Sequence, residues 1–181
     1  MPVLTMRDYK LKRKLKRLGI FKKLEIEDMK GITKNGGVSI ICGDGDIDVY
    51  SYHNKTVSQR PHCKSDFGGP LLLIPSFRGY DPCYAQGIIK NVKGGIKHKK
   101  TKTIFSYFHY PCAVAKEHKH TFKDVLRMMD ESPEIFDRYG FKKRFTFFHV
   151  KRLNKNKEVE QNTYLVDMDL LRKFIKVGGL N

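Results

Sequence analysis

The run Val38-Ser39-Ile40-Ile41 constrains the fold more than any other feature of the chain. It is short, apolar and rich in β-branched residues. The turn Lys34-Asn35-Gly36-Gly37 precedes it and Cys42-Gly43-Asp44-Gly45-Asp46 follows it. A strand with one wet face alternates polar and apolar residues, whereas a run without alternation is buried on both faces, as in a parallel sheet covered by helices. Parallel neighbours need long crossovers, usually helical. An α/β architecture is therefore expected.

The rest of the chain supplies the elements for it. Leu71 to Ile74 read as a second short strand after the turn-rich stretch 43–69, which closes on Asp66-Phe67-Gly68-Gly69-Pro70. Asp81-Pro82 starts a helix, with proline at its first position. That helix is predicted over 83–92, stopping at Gly94-Gly95. The lysine-rich segment 90–102 leads into a strand at 103–108, and His109-Tyr110-Pro111-Cys112 turns into a helix at 113–129. A strand at 144–151, a turn at 154–157, a strand at 163–166 and a helix at 167–176 complete the pattern. Strands alternating with helices predict a central, mostly parallel sheet flanked by helices. At 181 residues the chain fits one domain. Its expected parts are a basic N-terminal helical arm over 1–30, with Leu4, Leu11, Leu15 and Leu18 at roughly helical spacing, and an α/β body over 31–181. The arm is expected to dock on the body or on a second subunit.

Composition narrows the setting. Hydrophobic residues make up 40% of the chain, enough for a packed core. No apolar run approaches the ~20 residues that span a bilayer, and the N-terminus lacks the apolar stretch of a secretory signal. A soluble, cytoplasmic protein with reduced thiols is expected, and thiols in that setting often bind metal or take part in catalysis. Lys and Arg outnumber Asp and Glu by 36 to 19, a formal charge of +17. That charge permits binding to nucleic acid or another polyanion. It serves equally as a solubilising surface, and no RNA-recognition or zinc-finger signature accompanies it.

Three residues converge on one chemistry. Cys42 directly follows a predicted strand, and His109 and Cys112 follow another, 67 positions later. In open α/β sheets ligands gather at the carboxyl ends of strands. Zinc takes thiolate sulfur and imidazole nitrogen, and a catalytic zinc site keeps three protein ligands and one open position. An H-x-x-C turn brings two donors from one loop, while Cys42 reaches in from a neighbouring strand.

The residues VSIICGDGD resemble the C-x-D-x-R motif and its strand in the β-class carbonic anhydrases, and HYPCAVA resembles that family's H-x-x-C-G motif. DFGGPLLL stands where the family has its R-N-x-[AG]-[GN] loop. The helix after Asp81 and the late segment RFTFFHVKRLNKNKEVEQNTYLV also fall in the family's order. The resemblance covers roughly 36–170. It implies that Cys42, His109 and Cys112 ligate Zn2+, with Asp44 as the catalytic aspartate beside the ion. The implied reaction is reversible hydration of CO2 to bicarbonate by zinc-bound hydroxide, in a homodimer or higher homo-oligomer. This chain departs from the pattern at Asp46, which stands where the motif has arginine, at Ala113 in place of glycine, and at Asp66 in place of asparagine. Arg60 and Arg78 lie in the loops that follow and are the candidates to replace the missing arginine.

Two other functions fit the same residues. One is a non-catalytic, zinc-stabilised relative whose basic surface binds RNA or another polyanion. The other is a zinc hydrolase or lyase acting on a different small electrophile, since fold and metal do not fix the substrate. Among the remaining candidates, His53, His62 and Cys63 read as incidental loop residues. His118 and His120 are expected on the surface, because residues two apart on a helix point in different directions. His149 is expected at the core edge or surface. Asp46 and Asp48 read as partners of the site or as helix caps. Gly43 and Gly45 sit among too many carboxylates to cradle phosphate.

Overall fold

The computed structural model describes residues 4–43, 62–141, 143–153 and 159–181. A six-stranded mixed sheet organises them. In chain order the elements are α1 (Met6–Arg17), β1 (Phe21–Lys23), α2 (Ile26–Thr33), β2 (Val38–Cys42), β3 (His62–Asp66), a 3₁₀ helix (Gly69–Leu73), α3 (Pro82–Lys99), β4 (Thr103–Tyr110), α4 (Ala113–Glu117), α5 (Phe122–Arg138), β5 (Lys143–Leu153), β6 (Val159–Val166) and α6 (Met168–Lys176). The strands lie in the order β1-β6-β5-β4-β2-β3. The four from β3 to β5 run parallel; at the other side β6 pairs antiparallel with β5, and β1 pairs antiparallel with β6.

Burial explains the strands. Every residue of β2 is buried, as the uninterrupted apolar run requires. Along β4, Ile104 and Phe108 enter the main core, while Phe105 and Tyr107 enter a smaller cluster on the opposite face. The main core is covered by α1, α3, α5 and α6 through Leu15, Val92, Met129 and Phe174. Met29 of α2 covers Ile41, Phe105, Tyr107 and Phe147 on the other face. Each buried phenylalanine in these layers contributes about 1.5–3 kcal/mol relative to exposure.

The N-terminal segment is tied to the body. The Thr5 hydroxyl and the Asp8 carboxylate form a reciprocal cap on α1. Leu4 and Leu15 are buried, and Phe21 of β1 stacks against Phe148 and Tyr164 at 5.2 and 5.4 Å.

Several boundaries differ from the sequence expectations, each for a physical reason. Leu71 to Ile74 do not form a strand. Both sides of β2 are already occupied, by β3 and β4. Gly68 and Gly69 take positive φ and Pro70 favours a helical φ, so the run closes into the 3₁₀ helix with Leu71 and Leu73 buried. The strand HCKSD arises in a stretch that reads as turns, because an edge strand is held by its backbone pairing to β2 rather than by apolar side chains. Helix α3 continues through Gly94-Gly95 to Lys99. Ala85, Ile88, Ile89, Val92 and Ile96 form one stripe packed on the sheet, and that burial outweighs the weak helix propensity of glycine.

The helix expected over 113–129 is two helices. The chain breaks at Lys119, whose φ is 57°, and Thr121 with Asp124 caps a new start. Helix α5 then passes Pro133, which removes the amide that Met129 would otherwise receive. The Ser132 hydroxyl donates to the Met129 carbonyl instead, at 2.7 Å. Among the described residues, no helix is long and apolar enough to cross a membrane.

Candidate metal centre

Strands β2 and β4 are parallel neighbours, with Ile40 opposite Ser106, so their carboxyl ends lie side by side. Cys42 is the last residue of β2. His109 is the penultimate residue of β4, and Cys112 follows a cis Tyr110–Pro111 peptide, immediately before α4. The ligand atoms of Cys42, His109 and Cys112 all lie within 4.8 Å of one another, and all three residues are buried. The group is able to hold a metal ion. The structure thus brings together the three residues expected to ligate.

The turn sets the imidazole. Nδ1 of His109 lies 2.9 Å from the Pro111 carbonyl, which can only accept, so Nδ1 carries the proton. Nε2 is the ring nitrogen left available. It is buried and has no hydrogen-bond partner of good geometry among the described residues. A buried ring nitrogen beside two buried sulfurs is the donor set that a thiolate- and imidazole-binding ion takes, and a backbone carbonyl orienting the ring is the usual supporting contact.

Cys42 is held from the opposite side. The Gly68 amide donates to Cys42 Sγ at 3.1 Å. Gly68 and Gly69 have φ of 115° and 53°, values that side chains rarely tolerate. A Cβ on Gly69 would collide with Ile41 and Cys42 backbone atoms, and one on Gly68 would crowd Leu72 and Val114. The segment Asp66-Phe67-Gly68-Gly69-Pro70 is therefore a cradle for the first ligand.

The two thiols are electrostatically unequal. A hydrogen bond from Cys112 pulls the Cys42 thiol down to about 4, against burial, and His109 and the Gly68 amide act in the same direction. Cys112 is pushed up, first by its bond to Cys42 and then by burial. The Ala115 and Val114 amides favour its thiolate, although Cys112 makes no capping hydrogen bond. The two opposite shifts favour the thiolate at Cys42 over Cys112.

Asp66 ends β3 directly opposite Cys42, and its carbonyl accepts from the Gly43 amide at 2.8 Å. Its carboxylate accepts from the Tyr84 hydroxyl at 2.9 Å. Ala113 is the first residue of α4 and does not take a positive φ, so a side chain there causes no backbone strain. The Arg78 guanidinium donates to the His118 and Lys119 carbonyls, fastening the turn after α4. Asp44, the expected catalytic residue, lies outside the described residues, as do Asp46, Asp48, His53 and Arg60; the side chains of His62 and Cys63 do too. Cys83 is exposed near the start of α3.

Three histidines differ from expectation. His120 is only 9% exposed, and its Nε2 accepts from the Arg78 amide at 3.2 Å. His118 is half-buried and packs edge-on against Phe77. The break at Lys119 takes both out of helical geometry, so the two-apart argument does not apply. His149 is 1% exposed, stacked on Tyr107 and bonded through Nδ1 to the Thr163 hydroxyl at 2.9 Å. Its strand is covered on both faces, which removes the solvent edge its alternation suggested.

A scan of the chain against protein-family models finds no match, and a search of curated proteins finds none either.

Proposed function

We propose that the chain is a zinc enzyme of the β-carbonic anhydrase type, hydrating CO2 reversibly to bicarbonate. The single observation that carries this reading is the meeting of Cys42, His109 and Cys112 within 4.8 Å, at the carboxyl ends of two adjacent parallel strands. Two sulfurs and an imidazole favour zinc over hard cations such as magnesium or calcium. Three protein donors also leave a fourth position for chemistry.

Bound there, a zinc ion supplies a nucleophile near neutral pH by lowering the pKa of water toward ~7. The protein's own groups do the rest. The Pro111 carbonyl fixes the His109 tautomer, the Gly68 amide orients the Cys42 sulfur, and burial of the three donors shields them from bulk water. Asp44, two positions beyond Cys42, is assigned to accept the proton-bearing side of the nucleophile and aim it at the substrate carbon.

The test combines metal analysis with stopped-flow CO2 hydration. One zinc per chain is expected, with hydration that disappears in Cys112→Ser. Zinc-loaded protein that shows no hydration between about pH 6 and about pH 9 overturns the reading.

A further inference from the structure

Helix α1 has two unlike faces. Leu4, just before the helix, and Leu11 and Leu15 within it pack on the main core. The other side is almost uniformly cationic. Arg7, Lys10, Arg13, Lys14, Lys16 and Arg17 are all exposed, and they form one wall of an open groove of ≈ 1070 Å³. Lys123 at the start of α5, with Gly179 and Asn181, lines the rest. Among the described residues, no acidic residue lines this groove. Asp8, the acid within α1, is engaged in the Thr5 cap. Neither the metal centre nor its cradle contributes to the groove.

We propose that this groove binds the phosphodiester backbone of a single-stranded nucleic acid without reading its sequence. Charge is the first argument, since seven lining cations face no Asp or Glu side chain among the described lining residues. Spacing is the second. Arg7, Lys10, Lys14 and Arg17 recur every three or four positions, so they share one side of the helix. Ten residues at 1.5 Å rise cover about 15 Å, the axial span of about four phosphates in a stacked strand.

The lining also selects among polyanions. An amphipathic helix enters a bilayer by its apolar face, but here that face is already buried in the core. An acidic protein partner needs buried aromatic or aliphatic anchors, and among the described residues the only large apolar side chain in the lining is Leu11. The described lining residues include no aromatic ring for base stacking, so affinity comes from phosphates and depends steeply on salt.

Fluorescence anisotropy on the full chain tests this, using labelled oligouridine and oligothymidine of about twelve nucleotides between about 50 and about 300 mM KCl. With about four to seven phosphate contacts, log K is expected to fall against log salt with a slope of about −3 to −5. The variant Arg7→Ala, Lys10→Ala, Arg13→Ala and Arg17→Ala spares Lys14 and Lys16, which lie over the Phe174 and Tyr164 rings. It should bind at least about tenfold more weakly, with a slope shallower by about 3. An equal charge change at Lys97, Lys99, Lys100 and Lys102, all outside the groove, should cost less than about threefold.

Comparable binding of the two oligonucleotides supports backbone recognition. Equal losses in the two variants, salt-insensitive binding, or preference for phosphatidylserine vesicles over both oligonucleotides overturns the proposal. Circular dichroism confirms folding, and Arg13→Ala with Arg17→Ala replaces the quadruple variant should that one unfold. Zinc content and CO2 hydration, followed in parallel, should not change, so this proposal and the enzymatic one fail separately.

Discussion

Gly69 lies against the backbone of Cys42 so closely that a Cβ on it would sit 2.5 Å from the Cys42 nitrogen. The first candidate metal ligand is thus held by main-chain contact with the turn before the 3₁₀ helix, as well as by its own strand. Gly69→Ala meets two obstacles, a φ of 53° and this collision. The left-handed backbone alone costs about 1–2 kcal/mol. Both the melting temperature and zinc affinity should fall, measured by thermal unfolding and chelator competition. A variant with wild-type values for both would show that the contact is dispensable.

Asp44 is two residues beyond Cys42 in the sequence. Asp44→Asn preserves size but accepts hydrogen bonds less strongly. We predict that zinc stays at one per chain while CO2 hydration drops about 10- to 100-fold, as expected for loss of a group supporting a metal centre. Undiminished turnover would remove Asp44 from the proposed machinery.

His120 provides a pH dependence whose sign is fixed. Burial holds its imidazole below the ordinary 6.5, and the Arg78 and His118 charges add to this, against Asp124. Between the folded and unfolded values the unfolded chain therefore binds more protons, so stability rises with pH across that window. The contribution is complete above about 6.5 and is lost as pH falls through the folded value. His120→Gln keeps an acceptor for the Arg78 amide but cannot titrate. Melting curves of wild type and variant should diverge least above pH 7 and change relative to each other below about 6.5; parallel curves throughout would refute the assignment.

Leu15 is 0% exposed on the buried side of α1, whereas Leu18 is 48% exposed. Leu15→Ala should destabilise the chain by about 2–5 kcal/mol. Leu18→Ala should stay within about 0.5 kcal/mol. Denaturant unfolding distinguishes them, and equal effects would mean that α1 does not dock as described.

What could be read from the residues was whatever depends on local pattern. The buried character of β2 follows from Val38 to Ile41, and the β5–β6 pair follows from two β-rich segments around a polar turn. Cys42, His109 and Cys112 were recognisable because each stands at a predicted strand end. Features set by competition for space were not legible. Leu71 to Ile74 have the composition of a strand but no vacant position beside β2. His149 has an alternating context, yet α2 and its neighbours cover that face of the sheet as well. Pro133 signals a helix end, and only the Ser132 hydroxyl shows how the helix continues. The cradle around Cys42 had a visible signal in the paired glycines of DFGGP, but their purpose depends on a backbone approach that no local pattern encodes.

The pairing of Val38 with Ile104 has a consequence in time. The two strands that carry the metal donors are separated by 66 positions along the chain, so the donors converge only after a long crossover has closed. Closing such a contact is slow. An ion seated afterwards strengthens contacts made late, which retards unfolding and leaves refolding almost unchanged. On the proposed zinc reading, metal at this position would govern how long the native state lasts rather than how soon it is reached.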